Sequence, residues 1–218
     1  MTILRFIHIA KCGGSTIHNI INKMDIKKKS YHLSKPKFKK DELYIICIRN
    51  PVERFVSAFN WRKKKRCQNV NSNEYQFLFK YKNINELAEN LYKNGKLNQI
   101  AHNEIYSTKY FGSNMMSHFG RDIHWYLHDF LNKCNTYNIL GVITIENMKK
   151  DCKKLFGINI NNIHKKKNIE YSKYLSKQGY KNLKKFLKKD YDCIDKLYKL
   201  KLISKKQYKL LLNDRNII

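Results

Sequence analysis

The stretch from Arg5 to Thr16, Arg-Phe-Ile-His-Ile-Ala-Lys-Cys-Gly-Gly-Ser-Thr, constrains this chain more than any other. A short apolar run containing the β-branched Ile7 and Ile9 leads through Lys11 and Cys12 into a Gly-Gly pair. Apolar residues then recur at Ile17, Ile20, Ile21 and Met24 with the spacing of one helix face. The pattern predicts a strand, a tight loop and a helix. Gly13 and Gly14 remove two side chains where backbone N–H groups can close around a ligand, and Ser15 or Thr16 is expected to cap the helix. The positive end of that helix and the Lys11 ammonium would then face the same spot, which suits a phosphate or sulfate group. On this stretch alone, an anion site and a plain left-handed turn joining strand to helix are both open readings. The order of residues differs from a Walker A loop, where lysine follows the last glycine and directly precedes Ser or Thr; here Lys11 comes first, so a Mg-triphosphate geometry is not specified.

A second stretch bears on that choice. Leu43 to Ile48, Leu-Tyr-Ile-Ile-Cys-Ile, is a continuous apolar run of the kind buried on both faces of a parallel sheet. It continues directly into Arg49-Asn50-Pro51-Val52-Glu53-Arg54-Phe55-Val56-Ser57-Ala58-Phe59. Pro51 suits the first turn of a helix, so Arg49 is placed at the strand's carboxyl end and Ser57 about two turns into the helix. In an open parallel sheet ligands bind outside the carboxyl ends of the strands, which would bring Arg49 near Lys11.

Together these two stretches resemble the paired cofactor motifs of the sulfotransferase superfamily that uses 3′-phosphoadenosine-5′-phosphosulfate (PAPS). The resemblance is to its membrane-associated carbohydrate branch, which includes heparan sulfate 2-O-sulfotransferases. In that family a loop similar to residues 8–16 holds the 5′-phosphosulfate, implying cofactor roles for Lys11, Cys12, Gly13, Gly14, Ser15 and Thr16. A segment similar to residues 48–58 holds the 3′-phosphate, implying roles for Arg49 and Ser57. Fainter similarity runs through Gly141-Val142-Ile143-Thr144-Ile145-Glu146, residues 162–168, and Asp190-Tyr191. The loop His164-Lys165-Lys166-Lys167-Asn168 resembles one that closes over the nucleotide, and Lys167 is assigned to cofactor binding on that basis. The resemblance also implies catalysis by Lys11, as stabiliser of the leaving oxygen, and by a histidine in a Tyr-His context before the second motif's strand, which here is His32. An exposed loop histidine is the alternative for His32, and His102 and then Glu104 are the next candidates for the base.

At 218 residues the chain is expected to form one sulfotransferase domain spanning 1–218, long enough for a real core. The first ten residues have neither a long apolar region nor a small-residue cleavage site, and no apolar stretch approaches the roughly 20 residues of a membrane span. A soluble, cytoplasmic protein is therefore expected, unlike the membrane-anchored members of the resembled branch. Six dispersed cysteines without a C-x-x-C pair point to reduced thiols, and Cys12 is read as inert packing. Lys and Arg number 45 against 17 Asp and Glu, a formal charge of +28. Such a field attracts polyanions, but a generally solvated lysine surface accounts for it equally well.

The remaining chain supports an α/β fold: a three-layer, P-loop-like parallel sheet flanked by helices, with C-terminal covering helices. Residues 25–41 read as a lysine-rich connection broken by Pro36, and residues 137–145 as another buried strand, followed by a helix that stops at Gly157. Residues 75–93 suggest one or two helices, and those from Ser176 onward show helical periodicity. The cationic run Arg62-Lys63-Lys64-Lys65-Arg66 is read as a solvated face rather than a nucleic-acid patch. The histidines at 102, 118, 124 and 128 lack a metal-ligand pattern, and none is assigned. Two rivals stand beside PAPS-dependent sulfation of a carbohydrate hydroxyl. A P-loop-type kinase would need a Mg-binding carboxylate after the strand ending at Ile48, where Arg49 and Asn50 stand instead. A basic nucleic-acid-binding protein would not need both motifs.

Overall fold

The apolar runs form the strands of a parallel sheet in the computed structural model, which describes residues 2–65, 72–109, 115–160 and 171–213. Lys167, the loop 162–168 and Cys67 lie outside the described residues. In chain order the elements are β1 (Ile3–His8), α1 (Gly14–Asn22), β2 (Lys28–Tyr31), β3 (Glu42–Ile48), α2 (Pro51–Lys65), α3 (Asn73–Lys80) and α4 (Ile84–Asn90). A small antiparallel hairpin follows, β4 (Tyr92–Lys93) and β5 (Lys96–Leu97), then α5 (Gln99–Ser107), α6 (Ile123–Lys133), β6 (Ile139–Thr144), α7 (Met148–Phe156), α8 (Lys177–Phe186), α9 (Lys188–Lys199) and α10 (Lys205–Leu212).

The described residues gather into two compact units. The first holds residues 2–50, 122–160 and 190–213 and contains a four-stranded, all-parallel sheet in the order β2-β1-β3-β6. Strand alternation assigns its layers. Arg5 lies opposite Tyr44 and His8 opposite Cys47, so the sheet has an Arg5/Tyr44 face and a His8/Cys47 face. Phe130 of α6 packs its ring 4.9 Å from Tyr44, which puts α6 on the first face. Gly14 of α1 abuts the His8 ring, and Leu155 of α7 lies against Gly141, which pairs with Ile45 on the face of Cys47, so α1 and α7 cover the second. These are three layers, α6, sheet, and α1 with α7. The Arg5 guanidinium grips Glu42 through bonds of 2.7 and 2.5 Å, tying β1 to β3 and holding the Glu42 carboxyl below its usual range.

The second unit holds residues 51–65, 72–109, 115–121 and 171–189 and is mainly helical. Its centre is aromatic: Phe55, Phe59 and Phe77 surround Phe119 at ring separations of 5.7, 6.4 and 5.3 Å. Here the cationic run departs from the solvated face read in the sequence. Arg62 and Lys63 are buried, Arg62 paired with Glu74 and Lys63 donating to the Tyr81 and Lys82 carbonyls at 2.8 and 2.9 Å. The α2 helix continues through Lys65, and its inward face carries these two long side chains into the interior of the unit. Asp190 lies in the first turn of α9 and accepts from the His124 backbone N–H at 2.8 Å, within the first unit. No helix among the described residues is long and apolar enough to cross a membrane.

Candidate active site

The first unit's sheet changes direction between β1 and β3. The connection after β1 runs through α1 to β2 on one side, whereas β3 and then β6 extend the sheet on the other. Strands leaving such a point diverge, and the crevice at their carboxyl ends is where open α/β sheets take ligands. The last pair in register is His8 with Cys47, so residues 9–13 after β1 and Arg49-Asn50 after β3 leave the sheet side by side. Lys11 and half-buried Arg49 are thus brought to one edge.

The loop after β1 is built by its backbone. Lys11 and Gly13 both have positive φ, 68° and 75°, the left-handed region that costs a non-glycine residue about 1 kcal/mol or more. Gly13 is required by its left-handed backbone, and Gly14 by packing, since a Cβ there would lie 1.8 Å from His8 Cδ2. This changes the expected cap. The helix starts at Gly14 with Gly13 as its N-cap and no side-chain cap, so Ser15 and Thr16 fall within the first turn rather than before it. The physical reason is the left-handed Gly13, which turns the chain into the helix two residues before Ser15. Thr16 N–H bonds back to the Gly13 carbonyl at 3.1 Å, while the N–H groups of Gly14 and Ser15 donate to no described residue. Those two donors, at the positive end of α1, are what an oxyanion would need. Cys12 is fully buried, its N–H donates to the Ile9 carbonyl at 3.2 Å, and its carbonyl accepts from the Cys47 thiol at 2.5 Å. Burial pushes the Cys47 thiol pKa well up, with Cys12 and Cys152 adding to it.

Asn50 anchors the other lip. It is fully buried, its N–H donates to Glu146 Oε1 at 2.8 Å, and its side-chain amide donates to the Leu211 carbonyl at 2.7 Å. Behind it, Asp151 accepts from the Thr144 N–H and hydroxyl at 2.8 and 2.9 Å and from Gln207 at 3.1 Å, fixing the turn that carries Glu146.

His32 follows β2, a strand absent from the sequence reading, which took residues 25–41 as a connection. Its lysine-rich sequence gives no apolar signal, as befits an edge strand. Lys28 secures it, donating to the Ile21, Asn22 and Met24 carbonyls at 3.1, 3.0 and 2.6 Å, where α1 ends. Tyr31 pairs with Ile7, which brings His32 to the same carboxyl edge as the loop. Its Nδ1 lies 3.1 Å from the His8 carbonyl, and its ring stacks on that of His8 at 4.2 Å.

The remaining candidates belong to the second unit. Ser57 is half-buried on α2. His102 lies on α5, its ring 4.8 Å from Tyr106 and 5.8 Å from Phe186. Glu104 accepts from Lys80 at 2.5 Å and from the Tyr81 hydroxyl at 3.2 Å; burial and this carboxylate push the Tyr81 pKa up to about 12. Of the fallback bases, Glu104 is thus already engaged in holding α5 to the end of α3. Sequence reasoning missed the second histidine. His8 lies inside the quoted loop motif, and its i, i+2 relation to Phe6 in a strand is the signal that both rings share one face.

Comparison with family models, curated proteins and solved structures gives no match to this chain.

Proposed function

We propose that the protein is a PAPS-dependent sulfotransferase acting on a hydroxyl acceptor of the carbohydrate class. The observation that carries this reading is the convergence of three elements at the divergent edge of the first unit's sheet. They are a Gly-Gly loop, left-handed at Gly13, with two amides that donate to no described residue, the Arg49-Asn50-Pro51 exit of the neighbouring strand, and a histidine delivered by β2. The donor set fits an anionic sulfonucleotide: two N–H groups and the Lys11 ammonium for the phosphosulfate end, and Arg49 for a second phosphate, with Ser57 added by the motif resemblance.

PAPS supplies an activated sulfuryl group on a good leaving group. Lys11 and the loop amides stabilise negative charge growing on the bridging oxygen as the S–O bond to the nucleotide breaks. His32 takes the acceptor's hydroxyl proton as the new O–S bond forms, leaving a sulfate ester, a bisphosphate nucleotide and an imidazolium that must lose its proton before the next turnover. The rival reading as a nucleic-acid binder is weakened by the burial of Arg62 and Lys63, since these cations are committed to the interior of their own unit.

Thermal-shift measurements with adenosine 3′,5′-bisphosphate, AMP and Mg-ATP test the reading. The bisphosphate should stabilise the chain more than AMP, because Arg49 and Ser57 would read the 3′-phosphate. Equal shifts from the bisphosphate and AMP overturn it, and a larger shift with Mg-ATP moves the assignment to a kinase.

A further inference from the structure

The His8 ring and the His8 carbonyl both act on His32, and neither has a role in the reading above. We propose that His8 is a positioning residue: its carbonyl fixes the tautomer of His32 and its ring fixes the plane of the His32 imidazole, so that Nε2 carries the lone pair toward the crevice. This rests on the assignment of His32 as base.

A carbonyl oxygen only accepts, so the 3.1 Å contact between His32 Nδ1 and the His8 carbonyl places the proton on Nδ1. Neutral imidazole then holds its lone pair on Nε2, the atom a general base must present. The ring plane is set by stacking. Phe6, His8 and His32 form a continuous column, with centroid separations of 5.4 and 4.2 Å and interplanar angles of 14° and 24°. Gly14 makes the column possible, because any Cβ there would occupy the space of the His8 ring. From the other side the Tyr126 hydroxyl of α6 donates to the His32 carbonyl, so the His32 main chain is clamped while its ring is plated. Burial, with His32 and His18 nearby, pushes the His8 pKa down to about 3, so His8 stays neutral beside a ring that must gain a proton. Two stacked imidazoles cannot readily both charge.

The test uses the full chain, selectively labelled with ¹⁵N-histidine, for imidazole NMR, together with turnover and bisphosphate affinity. Wild-type His32 should show the neutral Nδ1–H form. His8→Ala keeps the carbonyl but removes the plate that holds the His32 ring in line with it, so it should introduce some Nε2–H form and lower turnover about 10-fold or more, as misalignment of a catalytic group does, with bisphosphate affinity changed less than about 2-fold. His8→Phe, which keeps a plate but cannot titrate, should restore the Nδ1–H form and most of the turnover. A wild-type His32 in the Nε2–H form overturns the proposal whether or not the variants fold. So does a His8→Ala protein with wild-type tautomer and turnover, or a folded His8→Phe protein as impaired as His8→Ala. Absence of any bisphosphate shift would instead sink the sulfotransferase reading, and the tautomer measurement would still decide the role of His8.

Discussion

The carboxyl edge of the first unit's sheet and the α2–α3 contact of the second unit treat titratable groups in opposite ways. In the first, the site edge carries a stack of two imidazoles, of which His8 is held uncharged, and a lysine on strained backbone. In the second, the cations Arg62 and Lys63 are carried inside and each is answered, by a carboxylate or by two carbonyls. Groups gathered at a ligand-facing edge are placed to exchange protons or bind anions, whereas charges answered inside a unit hold its shape. Substitutions at the site edge should therefore show up in turnover with little change in stability, and those at the α2–α3 contact should do the reverse.

The largest effect expected is on turnover. His32→Ala should lower it by about 10²- to 10⁴-fold, with bisphosphate affinity retained. Melting temperature should hardly move, because the main-chain bond from Tyr126 to the His32 carbonyl does not need the imidazole. If His32→Ala stays active while His102→Ala is dead, the base belongs to the second unit and the contrast between the units is broken.

A comparable free energy is expected as stability in the second unit. Glu74→Ala leaves the Arg62 guanidinium buried without its carboxylate, which costs about 3–5 kcal/mol. In a chain of this size that lowers the melting temperature by about 6–20 °C. Replacing both partners, Arg62→Met with Glu74→Leu, should recover most of the loss, and calorimetry of the single and double variants reads the difference. A double variant as unstable as the single one would show that the pair does more than answer its own charge.

Lys11 sharpens the contrast, because its backbone and its side chain are expected to pull apart. Lys11→Gly removes the ammonium and should reduce turnover about 10²-fold or more. It also relieves a left-handed residue with φ 68°, so the melting temperature should hold or rise. Loss of stability together with activity would mean that the lysine side chain holds the loop rather than serving the reaction.

How much of this was legible in the sequence depended on the kind of signal. β1, β3 and β6 announce themselves as apolar runs because parallel strands are covered on both faces. The turn at Gly13 was legible because glycine marks left-handed backbone, although the helix cap was expected at least two residues late, a shift that only the φ of Gly13 reveals. β2 was not legible: Lys-Lys-Ser-Tyr is an edge strand whose partner, β1, supplies the regularity, and its lysine caps a helix that precedes it. The burial of Arg62 and Lys63 was hidden for a similar reason. A run of cations looks solvated until Glu74 and the carbonyls of Tyr81 and Lys82 are placed against it, and such contacts between elements leave no periodic trace.

The smallest effect tests whether the first unit's neutral histidine is held as described, and it can be read without substrate. An unfolded histidine has a pKa near 6.5, whereas His8 in the folded chain is pushed down to about 3 by burial, with His32 and His18 contributing. Below pH 6.5 the unfolded chain therefore binds a proton at this position that the folded chain refuses. Stability rises with pH wherever the unfolded state holds more protons, so His8 costs nothing above about pH 6.5, and its penalty grows as pH falls from there toward 3. At pH 5 the penalty reaches up to about 2 kcal/mol, or about 4–8 °C in melting temperature. His8→Phe cannot take up that proton, so the gap between the wild-type and variant melting curves should shift in favour of the variant by this amount between pH 7.5 and pH 5. The other histidines cancel in the comparison because both chains contain them. Parallel curves over that range would mean that His8 protonates freely in the folded chain, and its stack with His32 would then be no barrier to charge.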